Sequence, residues 1–511
     1  MTSDQEPLSS AAKEDLEAPG LSDSGPAPLS PTFRGISRSR RRWWLQLVAI
    51  VLLALAVRLV VALPFAEAEP RGDEAYYLRV AASLVAGDGH PGSVRPPLYP
   101  ALLALGLQLG QERGAQLLQL SLSLALVLLL ADTARRRFGT VAAVGTGLSA
   151  ALMPALAHYA HFYWSEGLNA FLIALWLWAL TRWEERADSV SARPWLAPSW
   201  LAPSWLALSA SVLAWAALTR ESWLFFALPF ALWVAVDPRW RRDTGSSPNA
   251  PPSPSELLRI RPPRRGLLTA GLLLILVAAW ITPWALRNSK LHGELVLVST
   301  NRWFPIAVGN LLPADDWIFA PNRAAEVKKE LPQGLSELDS ERWWRDVAIQ
   351  AIAQEQPWWL GKKLIRNGGR LISLHSQAVR FLERGWIAPP PPAGRALIAY
   401  DVAAYLGLAI FGLAGLWLIP DPRLKSLAVG ALLYTAAVHL LANAIPRFHV
   451  PVLPILCLYA GPLLAAPKSV WKRAAPWRKQ GAAGTLILFL VLVLHRAAWA
   501  LEGAWKATAA P

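Results

Sequence analysis

GDEAYYLRVAASLVAGDGHPGSVRPPLYPALLAL, from Gly72 to Leu105, decides the fold, because it ends in an apolar run that either crosses a membrane or stops short. The run continues to Gly110 and spans about 14 residues from 97, whereas a bilayer core takes about 20 mostly apolar residues. It therefore reads as an interfacial or re-entrant helix. Eleven other segments are long enough to span: about 43–64, 115–133, 140–158, 166–183, 203–219, 222–237, 266–286, 398–419, 426–444, 450–466 and 484–501. The positive-inside rule tests this count. With RSRRR (38–42) in the cytoplasm, alternation places RRRF (135–138), TRWEER (181–186), the basic stretch 238–265, PRLK (422–425) and KSVWKRAAPWRK (468–479) on the same side. Counting 97–110 as a further span would turn most of those clusters outward. Eleven spans with the N-terminus inside is the consistent reading.

Composition agrees. Of 511 residues, 54% are hydrophobic and 17% charged, and the mean hydropathy is +0.32, more apolar surface than a soluble chain can hide. The 27 tryptophans suit interfacial belts. A net charge of +15 would suggest nucleic acid, but the basic residues fall in short clusters between apolar runs, so topology accounts for them. The single cysteine, Cys457, excludes an internal disulfide. The first forty or so residues, rich in Ser, Pro, Ala and acids, read as a disordered tail and not as a signal peptide. The near-repeat WLAPSWLAPSWLALS (Trp195–Ser209) is too short for a solenoid and reads as a linker entering a helix.

This topology gathers the polar groups on the outer side: loop 65–97, HYAHFYWSEG (158–167), TRES (219–222), a segment from Arg287 to Arg395, and ANAIPRFHV (442–450). Asp73 and Glu74 begin a helical pattern; they serve either as acids favoured by the helix dipole or as a general base or metal ligand for an acceptor hydroxyl. Arg95, ahead of two prolines, suits a phosphate, or snorkels to headgroups. Arg58, two-thirds along the first span, is either paired and functional or snorkelling. Glu166 stands at the lip of a span. Arg220 is a second phosphate clamp or the partner of Glu221, and Arg447 sits between Pro446 and Pro451 at another outer helix start. His158 and His161 have metal-compatible spacing, but histidines among aromatics are more often interfacial. No Walker A, GxGxxG, HExxH or GxSxG pattern stands in a supporting context.

GDEAYY, LVAGDG, RPPLYPALLAL and RRRFG, followed by SEGLNAFLIAL, ALTRESWLFFALP, PWALRN, STNRWFPIAVGN and RFHVPVLPIL, resemble in order the membrane glycosyltransferases of the GT-C superfamily. The nearest group is family 39, with the protein O-mannosyltransferases and the lipid A aminoarabinose transferase. The resemblance covers about residues 70–465. It implies an all-α polytopic membrane protein of GT-C type, with about eleven transmembrane helices and an extracytoplasmic loop domain. The implied division is a cytoplasmic tail (1–42), an N-terminal transmembrane catalytic module (43–286) with its first outer loop (65–97), an extracytoplasmic loop domain (287–397), C-terminal transmembrane helices (398–501) and an outer tail (502–511).

The implied activity is inverting transfer of a sugar from a polyprenyl-phosphate donor to a lipid, glycan or protein acceptor, at the outer face of the plasma (inner) membrane. Asp73, Glu74 and Glu166 take the catalytic places, and Arg95, Arg220, Arg58 and Arg447 the donor-phosphate places. The aminoarabinose transferases have Glu-Lys-Pro-Pro where this chain has Val94-Arg95-Pro96-Pro97, and an Arg in place of Tyr76. A carboxylate is thus missing, which leaves a divalent cation and the identity of the sugar open. The alternative from another class is a polytopic transporter or flippase, which would show inverted repeats and broken midplane helices; neither is legible here.

Overall fold

The computed structural model describes residues 40–65, 68–192, 201–237, 264–312 and 323–508. The N-terminal tail, the first copies of the WLAPS repeat and most of the basic stretch 238–265 lie outside the described residues. Within them every regular element is a helix. We number α1 Arg40–Ala62, α2 Asp73–Ala86, α3 Leu98–Phe138, α4 Thr140–Leu152, α5 Pro154–His158, α6 Ser165–Ala192, α7 Leu201–Thr219, α8 Ala227–Ala235, α9 Arg264–His292, α10 Trp303–Asn310 and α11 Ala324–Val327. There follow α12 Glu337–Gln354, α13 Trp359–Leu371, α14 Gln377–Glu383, α15 Pro391–Leu418, α16 Pro422–Leu441, α17 Leu453–Ala465, α18 Pro467–Arg473 and α19 Pro476–Ala507. Two 3-10 helices, Glu221–Phe226 and Pro446–Val452, precede α8 and α17.

The eleven apolar segments are mostly helical, although 140–158 breaks at Met153, 426–444 ends in irregular chain, and 166–183, within α6, is not among the helices long and apolar enough to cross. Among the described residues seven helices are long and apolar enough to cross a membrane, and Thr140–Leu152, Pro203–Thr219 and Glu221–Ala235 are shorter apolar helices. The deciding run does not continue straight into the next apolar segment. Gly110 (φ −177°, ψ 35°) and Gln111 (φ 54°, ψ −145°) break α3, and a Cβ added to Gly106 would lie 2.4 Å from Ala115 Cα. Residues nine apart in one straight helix are about 13 Å apart, so the chain reverses at Gly110–Gln111. The arm 98–109 packs against α2, and the arm from residue 112 runs on as the long apolar helix.

The buried α17 is the hub of the bundle. A Cβ on Gly461 would meet Thr146 Oγ1 at 2.0 Å, and one on Gly415 would meet Tyr459 O at 2.0 Å, so α4 and α15 cross it at backbone contact. Small residues at crossings are how helices approach closely where no hydrophobic drive separates helix from lipid. At one end of α6, Arg137 pairs with Glu184 (2.5 Å) and Asp421, and Tyr459 donates to Asp421 Oδ2 (2.9 Å). Glu166 begins the other end. The 18 residues between the two glutamates place these charged layers about 27 Å apart, close to the thickness of a bilayer core.

Candidate active site

Five segments meet at the Glu166 end around a cavity of about 420 Å³. Gly72, at φ 57°, turns the chain into α2 so that Asp73 is its first residue. Arg95 follows the loop 88–94 and precedes the prolines that start α3. Glu166 lies in the first turn of α6, where the helix dipole favours an anion. Arg220 has extended backbone (φ −146°, ψ 113°) between α7 and its 3-10 helix. Arg447 rides the 3-10 helix whose backbone Pro446 and Pro451 restrict.

The charges are interlocked. Arg95 Nη2 donates to Asp73 Oδ1 at 2.7 Å, and Arg447 Nη2 donates to Asp73 Oδ2 at 3.1 Å. Arg220 Nη1 donates to Glu166 Oε1 at 2.6 Å, and Arg447 Nε lies 3.5 Å from that same oxygen. Arg447 therefore bridges the two acids, and its guanidinium stacks on Trp164 with Cζ 3.9 Å from the ring centre. Arg220 lies over Phe448, 5.1 Å from the ring centre. Burial by itself would raise the Asp73 carboxyl; Arg95 and Arg447 outweigh it and hold that carboxyl below its ordinary value.

Two residues expected at the site stand elsewhere. Glu74 is buried behind Asp73, and its Oε1 accepts the Tyr163 N–H at 3.0 Å, so it fastens the turn that leads into α6. Burial raises the Glu74 carboxyl, against the opposing pull of that N–H and of Trp164. Arg58 is fully buried in the bundle. Its Nε donates to Ser123 Oγ (2.8 Å), its Nη1 to Ala54 O (3.0 Å) and its Nη2 to Ser123 O (3.4 Å). It neither snorkels nor faces the cavity: its donors, with Nη1 also reaching Ala151 O at 3.4 Å, are spent on carbonyls and a hydroxyl that tie α1 to α3 and α4.

The cleft also holds Glu221, which the sequence offered only as a partner for Arg220, and groups that the residue-by-residue reading did not single out. Glu221, Ser299, Asn301 and Arg302 line it, with Phe304 and Tyr434 among the aromatic walls. Ser299 Oγ donates to Glu221 Oε2 at 2.7 Å. The motif STNRWFPIAVGN carried the signal for the outer-segment members, without telling which side chains face inward. Counting Arg95, Arg220, Arg302 and Arg447 against Asp73, Glu166 and Glu221, the lining has four cations and three anions. Such a balance suits an anionic ligand.

A divalent cation fits these residues poorly. Among the described residues no three His, Cys, Asp or Glu side chains converge as ligands, and arginines already hold Asp73 and Glu166. The His158 and His161 pair is split: His158 stacks on Phe162, while His161 Nε2 is 2.8 Å from Arg58 O.

Residues 94–249 match the family described as dolichyl-phosphate-mannose-protein mannosyltransferase. Arg95, Glu166 and Arg220 lie inside the matched stretch. Over that stretch, well under half of the chain, the sequence is similar to that family. No curated protein matches the sequence significantly. Among solved structures, an oligosaccharyltransferase from Archaeoglobus fulgidus, in complex with Zn and sulfate, is 13% identical with a TM-score of 0.45, over 91% of this chain and 53% of that one. ArnT from Cupriavidus metallidurans, bound to undecaprenyl phosphate, is 16% identical with a TM-score of 0.44, over 92% of this chain and 74% of that one. The chain thus spans about half the length of the archaeal enzyme.

Proposed function

We propose that this chain is an inverting glycosyltransferase that moves a sugar from a polyprenyl-phosphate donor to an acceptor hydroxyl at the extracytoplasmic face of the plasma membrane. The observation that carries the reading is the Asp73 carboxylate gripped by Arg95 and Arg447 in a cleft of net positive lining. Two guanidiniums on one carboxylate form a ready site for a phosphate, which offers more acceptor oxygens and suits arginine's fork. When a donor phosphate takes those arginines, Asp73 is released beside it with its charge intact.

The chemistry then follows from position. The acceptor oxygen bonds to the anomeric carbon while the bond from that carbon to the phosphate oxygen breaks. The acceptor proton passes to Asp73, and the electron pair of the broken bond leaves on the lipid phosphate, where Arg95, Arg447 and Arg220 face the growing charge. Glu166 fixes Arg220 and the flank of Arg447. The outer segment closes one wall through Leu297–Ile306. The basic layer at the far end of α6 favours placing that end in the cytoplasm and the cleft outside.

The test is transfer by the full chain, purified in detergent, from synthetic polyprenyl-phosphate sugars, paired with mass spectrometry of surface glycans and lipid-linked sugars in cells lacking the gene. Loss of one glycan modification together with accumulation of one lipid-linked sugar is expected. Movement of an intact lipid-linked sugar across the bilayer, with none consumed, would overturn the reading in favour of transport.

A further inference from the structure

Helix α13, WLGKKLIRNGGRL, is built inside out. From Trp358 to Gly369 the exposed residues are Trp358 (73%), Leu360 (46%), Gly361, Leu364 (42%) and Ile365 (53%), all without charge. The buried ones are Lys363, Arg366, Asn367 and Gly369, and Lys362, paired with Glu355, is half-buried. Leu360 and Leu364, and Gly361 and Ile365, are pairs four apart and share one face. A helix lying on a protein in water shows the opposite pattern, with its apolar stripe on the core and its charges outward.

The buried polar face has a definite task. Lys363 Nζ donates to Gly309 O at 2.6 Å and to Ala442 O at 2.7 Å, and Asn367 Nδ2 donates to Leu440 O at 2.8 Å. Leu440 and Ala442 lie at the C-terminus of α16, where carbonyls lack helical partners and a cation is favoured. The polar side chains of α13 thus satisfy backbone groups that lipid could not, which is the requirement on any backbone at membrane depth.

The exposed face has its own continuity. α13 packs on α16, on α19 and on the 3-10 helix that carries Arg447. α16 and α19 are long and apolar enough to span, and α16 presents Leu433 (65%) and Leu441 (45%) outward. The apolar stripe of α13 extends that surface, with Trp358 at its start as an interfacial ring.

We infer that α13, although it belongs to the segment 287–397 that the sequence places outside the membrane, is seated in the outer leaflet with Trp358, Leu360, Leu364 and Ile365 against lipid. The occupant of this face is bilayer lipid and not a second copy, because its apolar surface continues that of the spanning helices. The seat lies directly behind the cleft: the residues that α13 caps lead into Asn443 and Ile445, which line the cavity. The inference rests on the membrane reading of the bundle and is independent of the transfer reaction.

Nitroxide labels at single cysteines test it, in a Cys457→Ala background reconstituted into liposomes, since Cys457 is buried and its loss leaves the surface unchanged. Labels at positions 360, 364 and 365 are compared with one at Leu433, for lipid, and one at Arg345 on α12, for water. Molecular oxygen and a water-soluble nickel chelate serve as relaxation agents. Oxygen should dominate at 360, 364, 365 and 433, and the chelate at 345. Chelate-dominated relaxation on α13 with a lipid signal at 433 would overturn the inference alone, and shielding from both agents would overturn it in favour of a protein partner. A water signal at 433 as well would overturn the membrane reading beneath it.

Discussion

Replacing Asp73 with asparagine separates a structural acid from a working one more sharply than any other single change. The carboxylate accepts from Arg95 at 2.7 Å and from Arg447 at 3.1 Å. Hydrogen bonds to charged groups contribute about 1.5–3 kcal/mol each, and asparagine keeps one neutral acceptor. The substitution also leaves two guanidiniums facing each other without a counter-charge; unit charges 4 Å apart at a protein surface repel by about 4 kcal/mol, an upper figure because both side chains can turn away. The folded chain should therefore lose roughly 1–3 kcal/mol, read as a lower melting temperature in detergent. A helix-dipole acid alone would lose only about 0.3–1 kcal/mol. Activity should divide differently. The donor phosphate no longer has to displace a carboxylate, so the donor KM should stay level or fall. kcat should drop about 10²–10⁴-fold with the loss of the base. Initial rates over donor concentration, at a temperature where the variant is fully folded, give both numbers. A near-normal kcat would remove Asp73 from the chemistry, and a steep rise in donor KM would show that it helps bind the phosphate instead of competing for it.

The other charged groups give companion outcomes. Arg95→Ala should raise the donor KM strongly and Arg95→Lys should restore part of it, because a lysine keeps the charge without the fork; equal KM values for both variants and the native chain would refute the phosphate role. Arg58→Met should lower the melting temperature while leaving the donor KM of the folded protein unchanged, since Arg58 holds α1 to α3 outside the cleft; a selective KM effect would return it to the site. Because the folded Asp73 carboxyl sits below its ordinary value, near 3.9, its stabilising share is present above that value and is lost as pH falls through the folded one. The melting temperature of the native chain should thus fall more steeply than that of Asp73→Asn below about pH 4, and parallel curves would refute the linkage. Polyprenyl monophosphate should inhibit more tightly than an uncharged polyprenol, and most tightly in Asp73→Asn.

How much of this was legible from the sequence depends on what the reading used. Bilayer thickness and the alternation of basic clusters needed only composition along the chain, and the length of the run 97–110 set it apart from the next apolar segment without telling that the chain reverses at Gly110–Gln111. Asp73, Arg95, Glu166, Arg220 and Arg447, which the sequence reading put on one side, line one cleft. Sequence could not say which carboxyl of the Asp73–Glu74 pair turns inward to the Tyr163 N–H, because neighbours on a helix point about 100° apart and only packing chooses between them. Arg58 presents the same limit: the cost of a charge in a span requires partners, but whether they are a phosphate or Ser123 and backbone carbonyls is a matter of helix crossing. α13 escaped for a different cause. Its residues alternate on a helical period, and that pattern is identical for a helix packed charge-side out and one packed charge-side in.

The pairing of Asp73 with two arginines also bears on selectivity at a membrane surface crowded with phosphodiesters. A phosphodiester headgroup offers a singly charged phosphate to any exposed arginine. With Asp73 between Arg95 and Arg447, a phosphate must outcompete a carboxylate already hydrogen-bonded at 2.7 and 3.1 Å, so a monoanion gains little by entering. The proposed donor is such a monoanion too, but one whose charge would grow toward two as its glycosidic bond breaks. The arginines then bind the departing phosphate more strongly than they bound the intact donor. Interactions that strengthen only as the reaction proceeds lower the barrier, whereas equal binding of donor and transition state does not. On the proposed function, the pairing of Asp73 with two arginines would serve catalysis twice: it would weaken the hold on resting phosphodiesters, and it would leave the acid free at the moment the donor phosphate takes its place.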